Sequence, residues 1–358
     1  MAAYTAIDDP SAYFKVQLYT GDGNDDRAVT FDDTDTNMQP DLVIIKGRSF
    51  TDDHTVFDAV RGVNKWMATN RNYGSSDTAS PNFGVKSFDS DGFTLGPWSA
   101  LNGNTNTHVA WSWKAGAGAG SSNTDGSINT GSTSVSTTAG FSISSYTGTG
   151  ANATVGHGLG VAPEWLIVKK TSGTSEWLVY HKGFASDPQT DYMVLHGTGA
   201  LVDDATAWQD TAPTSTVFSI GTYSDINASS STNIAYAWTS IQGFSRFGSF
   251  EGNGSTDGTF VYTGFKPAYV MYKNVTSTGS WYIHDAKRNT FNPANTVLLA
   301  QATDADSTAS SKNMDFLSNG FKMRNTGGER NGNGDTIIYI AFAEAPFVNS
   351  EGEPSTAR

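Results

Sequence analysis

The chain contains no cysteine among its 358 residues, which excludes disulfide bonds and thiolate metal sites. Charged residues make up 16 %, against about 25 % in an average soluble protein, so Gly, Ser, Thr and Asn must form much of the surface. The net charge of −13 argues against nucleic acid as a partner, because its binding requires a basic face. No apolar run approaches the roughly 20 residues of a membrane helix, and no secretory signal pattern begins the chain. We therefore expect a soluble protein with neither nucleic acid nor membrane as partner.

The acidic residues are concentrated near the start of the chain. Residues 1–58 contain twelve Asp against four Lys or Arg. Solvated carboxylates in loops are the simpler explanation. Docking of this stretch onto a basic partner is the alternative.

A short motif with two glycines recurs three times. Its copies are Tyr19-Thr20-Gly21-Asp22-Gly23, Tyr146-Thr147-Gly148-Thr149-Gly150 and Phe250-Glu251-Gly252-Asn253-Gly254. A proline, an apolar run and a lysine follow each copy, and the three prolines are 123 and 104 residues apart. Repetition on this scale predicts several copies of a small fold in place of one large fold.

The copies align beyond this motif. Eight residues after the lysines stand His54, Trp177 and Trp281, and each copy closes on a stretch of alternating apolar residues such as Val109 to Trp113. Units of about 105 residues fit the usual size of a domain. We predict an acidic repeat 1 at residues 1–114, a linker at 115–138, repeat 2 at 139–243, repeat 3 at 244–348 and a tail at 349–358.

The periodicity of these stretches is typical of strands. Val109, Trp111 and Trp113 alternate with small residues, which places them on one face of a strand. Short apolar runs separated by Gly, Asn and Asp favour β-sandwiches. The predicted fold class is all-β, with three tandem β-sandwich (jelly-roll-like) repeats.

The linker at 115–138 is dominated by Gly, Ala, Ser and Thr, a composition typical of a flexible tether. Residues 127–137 contain enough Thr, Val and Ile to form an edge strand. We expect repeats 2 and 3 to be rigidly apposed, and repeat 1 to be freer or docked elsewhere.

The sequence provides no catalytic constellation. None of its six histidines lies near a G-x-S-x-G elbow, and His54 aligns with two tryptophans, so its position does not require imidazole. We predict no enzyme activity and no cofactor. A carboxylate pair for glycoside hydrolysis stays open, because the separation of the two groups is a property of the fold.

A calcium site is the least weak chemical alternative. Asp22, Asn24 and Asp26, with Asp33 at the twelfth position, place oxygen ligands at roughly EF-hand spacing. Arg27 stands where that loop requires glycine, and strands surround it. We favour an acidic loop without a bound ion.

Three aromatic residues are candidates for surface contact. Trp98, Trp208 and Tyr223 stand in predicted loops without equivalents in the other repeats. By contrast, Trp111, Trp113, Tyr236 and Trp238 recur at one strand position, as core residues do.

The repeated glycine motif, the run Pro40-Asp41-Leu42-Val43-Ile44-Ile45-Lys46-Gly47-Arg48-Ser49 and the ending Tyr339-Ile340-Ala341-Phe342-Ala343-Glu344-Ala345-Pro346-Phe347 form a familiar combination. Together they resemble a repeated β-domain family of marine tailed bacteriophages, especially those infecting cyanobacteria. Members of that family are commonly labelled tail-fibre or virion structural proteins. The resemblance covers nearly all of residues 4 to 348 and provides no catalytic residues.

The resemblance implies a non-enzymatic virion protein assembled in the cytoplasm of the bacterial host. The expected function is a short tail fibre or a receptor-binding or adaptor appendage; the absence of heptads excludes a long shaft. Expected partners are other virion proteins, further copies of the chain, with a trimer favoured by analogy, and a host surface glycan. The alternatives are a capsid decoration or head-fibre protein, and a glycan-cleaving or glycan-binding appendage.

Overall fold

The structure, a computed structural model, describes residues 5–32, 36–77, 83–184 and 187–355. Strands account for 42 % of the chain and helices for 6 %, which confirms the predicted all-β class. Within the described ranges, no helix is long and apolar enough to cross a membrane.

Three groups of strands follow one another along the chain. The first group contains β1 (Phe14–Thr20), β2 (Arg27–Thr30), β3 (Leu42–Gly47), β4 (Thr55–Asp58), β5 (Lys65–Ala68), β6 (Ser76–Asp77), β7 (Val85–Asp89), β8 (Gly92–Leu95), helix α1 (Ser99–Asn102) and β9 (Thr107–Trp113). The second contains β10 (Ser132–Ser136), β11 (Phe141–Thr147), β12 (Ala153–Gly156), β13 (Trp165–Lys170), β14 (Trp177–His181), β15 (Asp191–Val194), β16 (Val202–Asp203), α2 (Ala205–Trp208), β17 (Val217–Ile220), α3 (Ser224–Asn227) and β18 (Thr232–Trp238). The third contains β19 (Ser245–Glu251), β20 (Phe260–Tyr262), β21 (Phe265–Asn274), β22 (Tyr282–Asp285), β23 (Thr296–Leu299), β24 (Ser307–Thr308), β25 (Met314–Leu317), β26 (Gly320–Met323), α4 (Gly328–Asn331) and β27 (Thr336–Pro346). Two short 3-10 turns lie at Pro10–Ala12 and Ser310–Lys312.

Each group forms a larger and a smaller antiparallel sheet, which we call sandwich 1, 2 or 3. The larger sheets have the orders β1-β9-β3-β4-β5-β6, β10-β11-β18-β13-β14-β15-β16 and β19-β27-β21-β22-β23-β24. The smaller sheets are β2-β8-β7, β12-β17 and β20-β26-β25. The order of the larger sheets corresponds strand by strand, except that β10 is added at one edge of the second. None of the predicted domain boundaries interrupts a strand.

Side chains from one face of each larger sheet pack against its smaller sheet. In sandwich 1, Val43 and Phe57 of the larger sheet share a buried cluster with Val29 and Phe93 of the smaller sheet. Sandwiches 2 and 3 contain their own clusters of the same kind. Each sandwich therefore has a separate hydrophobic core.

The opposite faces of the three larger sheets share a further core. Trp111 and Trp113 of sandwich 1 belong to one buried cluster with Trp238 of sandwich 2 and with Tyr269 and Phe342 of sandwich 3. The alternating aromatic residues predicted to be buried are buried, but in the core between the sandwiches. Burial of apolar surface, worth about 25 cal/mol per Å², therefore holds the three sandwiches together.

The three sandwiches form a closed ring, in which paired backbone hydrogen bonds join each sandwich to the next. We call each of the three junctions a seam; at each seam, one loop from either sandwich contributes to the pairing. At each seam, an N–H group of either loop donates to a carbonyl of the other at 2.8 to 3.2 Å. The pairs are Ser75 to Thr171 and Ser175 to Asn72 at seam 1–2, Leu201 to Val275 and Gly279 to Thr198 at seam 2–3, and Asp306 to Arg48 and Asp52 to Thr303 at seam 3–1. Sandwich 1 thus contacts both neighbours, and the expectation that it is freer than the other two is wrong.

The linker is docked along its length. Asp41 accepts backbone N–H groups of Ala115, Ala117 and Gly118 at 2.6 to 2.9 Å, and Ile128 is buried in the core of sandwich 2. The predicted edge strand is present as β10, which pairs with β11. The expectation of a flexible tether is wrong, because these hydrogen bonds and the buried side chain fix the segment.

The ring has two distinct faces. Thr20 pairs with Thr107, and Gly47 with His108, so β1 and β3 end where β9 begins. The glycine motifs and the six seam loops lie at this end of their sandwiches, which we call the turn face. The strands β1, β3 and β9 have their other ends, such as Phe14 and Trp113, on the opposite face.

Candidate functional site

A buried asparagine closes each copy of the repeated glycine motif. Asn102, Asn227 and Asn331 are the last residues of α1, α3 and α4 and have no exposed surface. Each side-chain oxygen accepts a backbone N–H of the motif at 2.8 to 3.1 Å, and each side-chain nitrogen donates to carbonyls on two segments. These asparagines recur in corresponding positions before β9, β18 and β27, a signal that the sequence interpretation missed. The repeated motif is therefore a framework element.

The first glycine of the motif is required by close packing. A Cβ atom on Gly21 would lie 2.3 Å from the carbonyl oxygen of Gly103, which is closer than real Cβ contacts. A Cβ atom on Gly148 or Gly252 would likewise lie 2.4 or 2.3 Å from the corresponding carbonyl oxygen. The second glycine, such as Gly23 with φ +74°, adopts the left-handed conformation that glycine tolerates best.

Two of the four weak calcium candidates, Asp22 and Asp26, are engaged by protein groups. Asp22 accepts the backbone N–H of Asn24 at 2.9 Å, a hydrogen bond that lowers the pKa of Asp22. Asp26 forms an ion pair with Lys86. Asp33 lies outside the described residues. Across the described ranges, no group of three His, Asp or Glu residues could hold a metal ion.

Buried polar side chains at the ends of β4, β14 and β22 join neighbouring sandwiches. Asp285 accepts the indole N–H of Trp111 at 3.1 Å, and Asp58 accepts the hydroxyl of Tyr236 at 2.6 Å. Ile340 occupies the corresponding position of sandwich 3 and has no donor. Sandwiches 2 and 3 are joined instead by His181, whose ring nitrogen Nε2 lies 3.2 Å from the carbonyl of Tyr339.

Arginines complete the two carboxylate contacts. Arg61 pairs with Asp58, and Arg288 pairs with Asp285 at 2.6 Å, with the side chains of this second pair fully buried. A charged pair in such a place is stable only when its hydrogen bonds are satisfied. These carboxylates, which the sequence interpretation did not single out, hold the ring closed.

The repeated lysines are buried at the seams. Lys169 donates through Nζ to the carbonyls of Asn72 and Ser175 at 2.9 and 2.7 Å, and Lys273 donates to those of Thr198 and Gly279. Burial lowers the pKa of Lys169 to about 7. Lys46, the third equivalent, is equally buried, and burial lowers its pKa to about 8.

The aligned His54, Trp177 and Trp281 also face the seams. The indole N–H of Trp177 donates to the carbonyls of Ala68 and Arg71, and that of Trp281 donates to the carbonyl of Val194. Burial lowers the pKa of His54 well below its usual value. Both indoles, together with Lys169 and Lys273, thus make hydrogen bonds between sandwiches, whereas Lys46 donates to the carbonyls of Gly47 and Phe50 in its own sandwich.

The three aromatic candidates differ in exposure. Trp208 is only 2 % exposed, and its indole N–H donates to the carbonyl of Asp191 at 3.0 Å, so it cannot provide a surface contact. Trp98 and Tyr223 are half-buried and stand in corresponding positions immediately before α1 and α3, so they do have equivalents. Trp98 packs against Trp66, with ring centroids 5.1 Å apart. These two residues remain surface candidates, whereas Trp208 is corrected to a core residue.

An open cleft of about 260 Å³ lies on the turn face at seam 1–2. Its lining combines one aromatic residue with small and hydroxyl-bearing residues: Tyr73, Gly74, Ser75, Ser76, Thr171, Ser172, Gly173 and Thr174. Tyr73 is 57 % exposed. The sequence alone did not identify this tyrosine as a candidate. The cleft forms only where the seam brings together two loops that are about 100 residues apart in the chain.

A larger groove of about 480 Å³ lies at seam 3–1, at the opposite face. One residue that lines this groove is Ala268, whose corresponding positions in sandwiches 1 and 2 are occupied by Asp41 and Glu164. Those two acids hold chain segments that fill their seams: Asp41 binds the linker, and Glu164 accepts the hydroxyl of Ser240. Of the lysines at the groove, Lys287 pairs with Asp32 at 2.8 Å.

The centre of the ring contains a small apolar cavity of about 40 Å³. Corresponding residues of the three sandwiches line it, among them Leu42, Trp165 and Tyr269. Apolar cavities of this kind stay dry, and the volume is far below the 300 Å³ or more of ordinary ligand pockets. The cavity is therefore a packing defect on the ring axis.

Comparison with known proteins gives one family match. No curated protein matches the chain. Residues 9–346 match the family described as "Domain of unknown function (DUF7483)", a range that includes all three sandwiches and the linker. The chain therefore belongs to the DUF7483 family.

Proposed function

We propose that this protein is a non-enzymatic structural component of a tailed-bacteriophage virion, and that it serves as a short tail fibre or a receptor-binding or adaptor appendage. The resemblance of its repeated motifs to phage virion β-domains supports the phage assignment. The family description assigns no activity, so the proposal depends on the residues and their arrangement.

One observation supports a binding function above the others. The repeated polar residues, such as Asp58, Lys169 and Asn227, are consumed by contacts within and between sandwiches. Some side chains that remain accessible on the turn face, such as Tyr73, have no equivalent in the other two sandwiches. A rigid ring that presents variable loops on one face suits recognition of a partner.

We further propose that copies of the chain associate, with a trimer favoured by analogy. In sandwich 2, β10 covers the outer edge of β11. Among the described residues, β1 and β19 have no strand partner on their outer sides. Uncovered edges favour pairing with another chain, and a second copy or another virion protein would provide it.

Labelling of purified virions tests the location. Gold-labelled antibodies against the chain should mark the tail, and mass spectrometry of the particles should detect the chain. Its absence from purified virions would refute the proposal. Light scattering of the purified protein should give a mass above that of one 38.0 kDa chain, and a monomer would refute the association.

Attachment to the capsid is the second candidate. A single chain here already has three corresponding sandwiches in a closed ring, an arrangement that suits docking on a threefold axis of a larger shell. Gold label on the head instead of the tail would select this function.

A further inference from the structure

Tyr73 is exposed in a position where the other two sandwiches have no aromatic residue. The seam hydrogen bonds align Asn72 with Thr198 and Thr303, because each of these carbonyls accepts a backbone N–H of the neighbouring sandwich. The residue that follows is Tyr73, Gly199 or Asp304. The framework of the seam therefore does not require a tyrosine.

The backbone around Tyr73 is held firmly. On one side, the carbonyl of Arg71 accepts the indole N–H of Trp177 at 2.9 Å, and that of Asn72 accepts Nζ of Lys169 at 2.9 Å. On the other side, the N–H of Ser75 donates to Thr171 at 2.8 Å. An exposed ring on a fixed backbone loses little conformational entropy when a ligand binds.

Close packing of the two loops shapes the cleft. A Cβ atom on Gly74 would lie 2.6 Å from the carbonyl oxygen of Thr171 and 2.7 Å from the nitrogen of Gly173. The hydroxyls of Ser76 and Thr174, both exposed residues, have no hydrogen-bond partner within the described part of the chain. The cleft thus combines an accessible aromatic face with unused hydroxyl groups.

The lining determines the class of ligand. None of its eight residues is charged, which suits a neutral ligand. Aromatic faces bind apolar surface, and hydroxyls pair with donors and acceptors alike. A pyranose ring offers one face of C–H groups and a rim of hydroxyls, and matches both features. A stacked nucleic-acid base suits the cleft less, because such sites use a positively charged groove.

We propose that the cleft at seam 1–2 binds a neutral sugar ring of a surface polysaccharide, with Tyr73 stacking on the ring and Ser76 and Thr174 hydrogen-bonded to its hydroxyls. This inference rests on the proposed function, since it names the receptor class that a virion appendage would recognise. The volume of about 260 Å³ accommodates a single monosaccharide unit.

Binding to defined neutral sugars tests the inference. The probes are an array of immobilised neutral oligosaccharides and, in solution, methyl glucoside, galactoside and mannoside observed by saturation-transfer NMR. Wild-type protein should bind at least one probe, Tyr73→Ala should weaken that binding at least tenfold, and Tyr73→Phe should preserve it within threefold. Tyr262→Ala is the matched control, because Tyr262 is 58 % exposed on sandwich 3, and it should bind as wild type does.

Several results would overturn the inference. They are the absence of binding to every probe, wild-type binding by Tyr73→Ala, or an equal loss in Tyr262→Ala. Far-UV circular dichroism and thermal melting of each variant verify that the fold is intact. Virion labelling separates the two proposals: a chain that is present in virions but binds no sugar refutes the cleft alone, and a sugar-binding chain that is absent from virions refutes the proposed function alone.

Discussion

Replacement of Asp285 by alanine should lower the free energy of unfolding by about 3 kcal/mol. The Asp285 carboxylate accepts hydrogen bonds from Nε and the backbone N–H of Arg288 at 2.6 and 2.8 Å and from the indole of Trp111 at 3.1 Å. Removing one partner of a buried ion pair costs about 3 to 5 kcal/mol, because the other charge stays buried. The value should fall at the lower end, since Arg288 keeps its contact with Asp306 at 2.9 Å.

Urea unfolding followed by far-UV circular dichroism measures this change. Asp58→Ala is a replicate within the same molecule, because Asp58 pairs with Arg61 and accepts the hydroxyl of Tyr236 at the neighbouring seam. Asp77→Ala is the control: its ion pair with Lys65 has side chains 68 % and 46 % exposed, and exposed pairs contribute about 0 to 1 kcal/mol.

Two results would refute this reasoning. In the first, Asp285→Ala is no more destabilising than Asp77→Ala, which would mean that the buried pair does not hold the seam. In the second, the wild-type chain unfolds in three separate transitions. A core shared by three sandwiches should make their unfolding cooperative, and separate transitions would show that each sandwich is stable alone.

Three further predictions concern the repeated framework. Asn102→Ala should lower the free energy of unfolding by about 2 kcal/mol, because buried backbone groups lose their hydrogen-bond partner. The control Asn152→Ala, at an exposed position, should leave the free energy of unfolding unchanged. Equal effects of the two substitutions would contradict the framework role of Asn102. Gly21→Ala should lower the melting temperature, since its Cβ atom would clash with a carbonyl oxygen at 2.3 Å. A Cβ atom on Gly328 meets nothing within 4 Å, so the control Gly328→Ala should leave the melting temperature unchanged. An unchanged melting temperature in Gly21→Ala would refute the packing argument. Burial lowers the pKa of Lys169 to about 7, so between pH 7 and about 10 the unfolded chain binds more protons than the folded chain and stability should rise with pH. Lys169→Met should reduce that slope by up to about 1.4 kcal/mol per pH unit, and an unchanged slope in urea unfolding at several pH values would contradict it.

Local patterns were sufficient to predict several of the strands. The alternation of Val109, Trp111 and Trp113 indicated a strand, and β9 spans Thr107–Trp113. The β-branched residues in the linker indicated an edge strand, and β10 spans Ser132–Ser136. Such patterns are readable because strand formation and turn geometry depend on residues a few positions apart.

The candidate site was predicted poorly for the opposite reason. Trp208 and Tyr73 are both aromatic residues outside the strands, yet Trp208 is 2 % exposed and Tyr73 is 57 % exposed. The difference depends on which distant segments pack over each side chain. A single sequence contains no local signal of that packing.

The sequence by itself determined the all-β class, the recurring glycine motif and the position of strands such as β9 and β10, because these follow from periodicity and backbone conformation. Only the tertiary structure decided that the three sandwiches close into a ring and that the linker is docked. Contacts such as Trp111 to Asp285, which are 174 positions apart, form because the second faces of three sheets are apolar and must be buried against one another. The same closure brings Tyr73 and Thr174 to one cleft and so creates the candidate site.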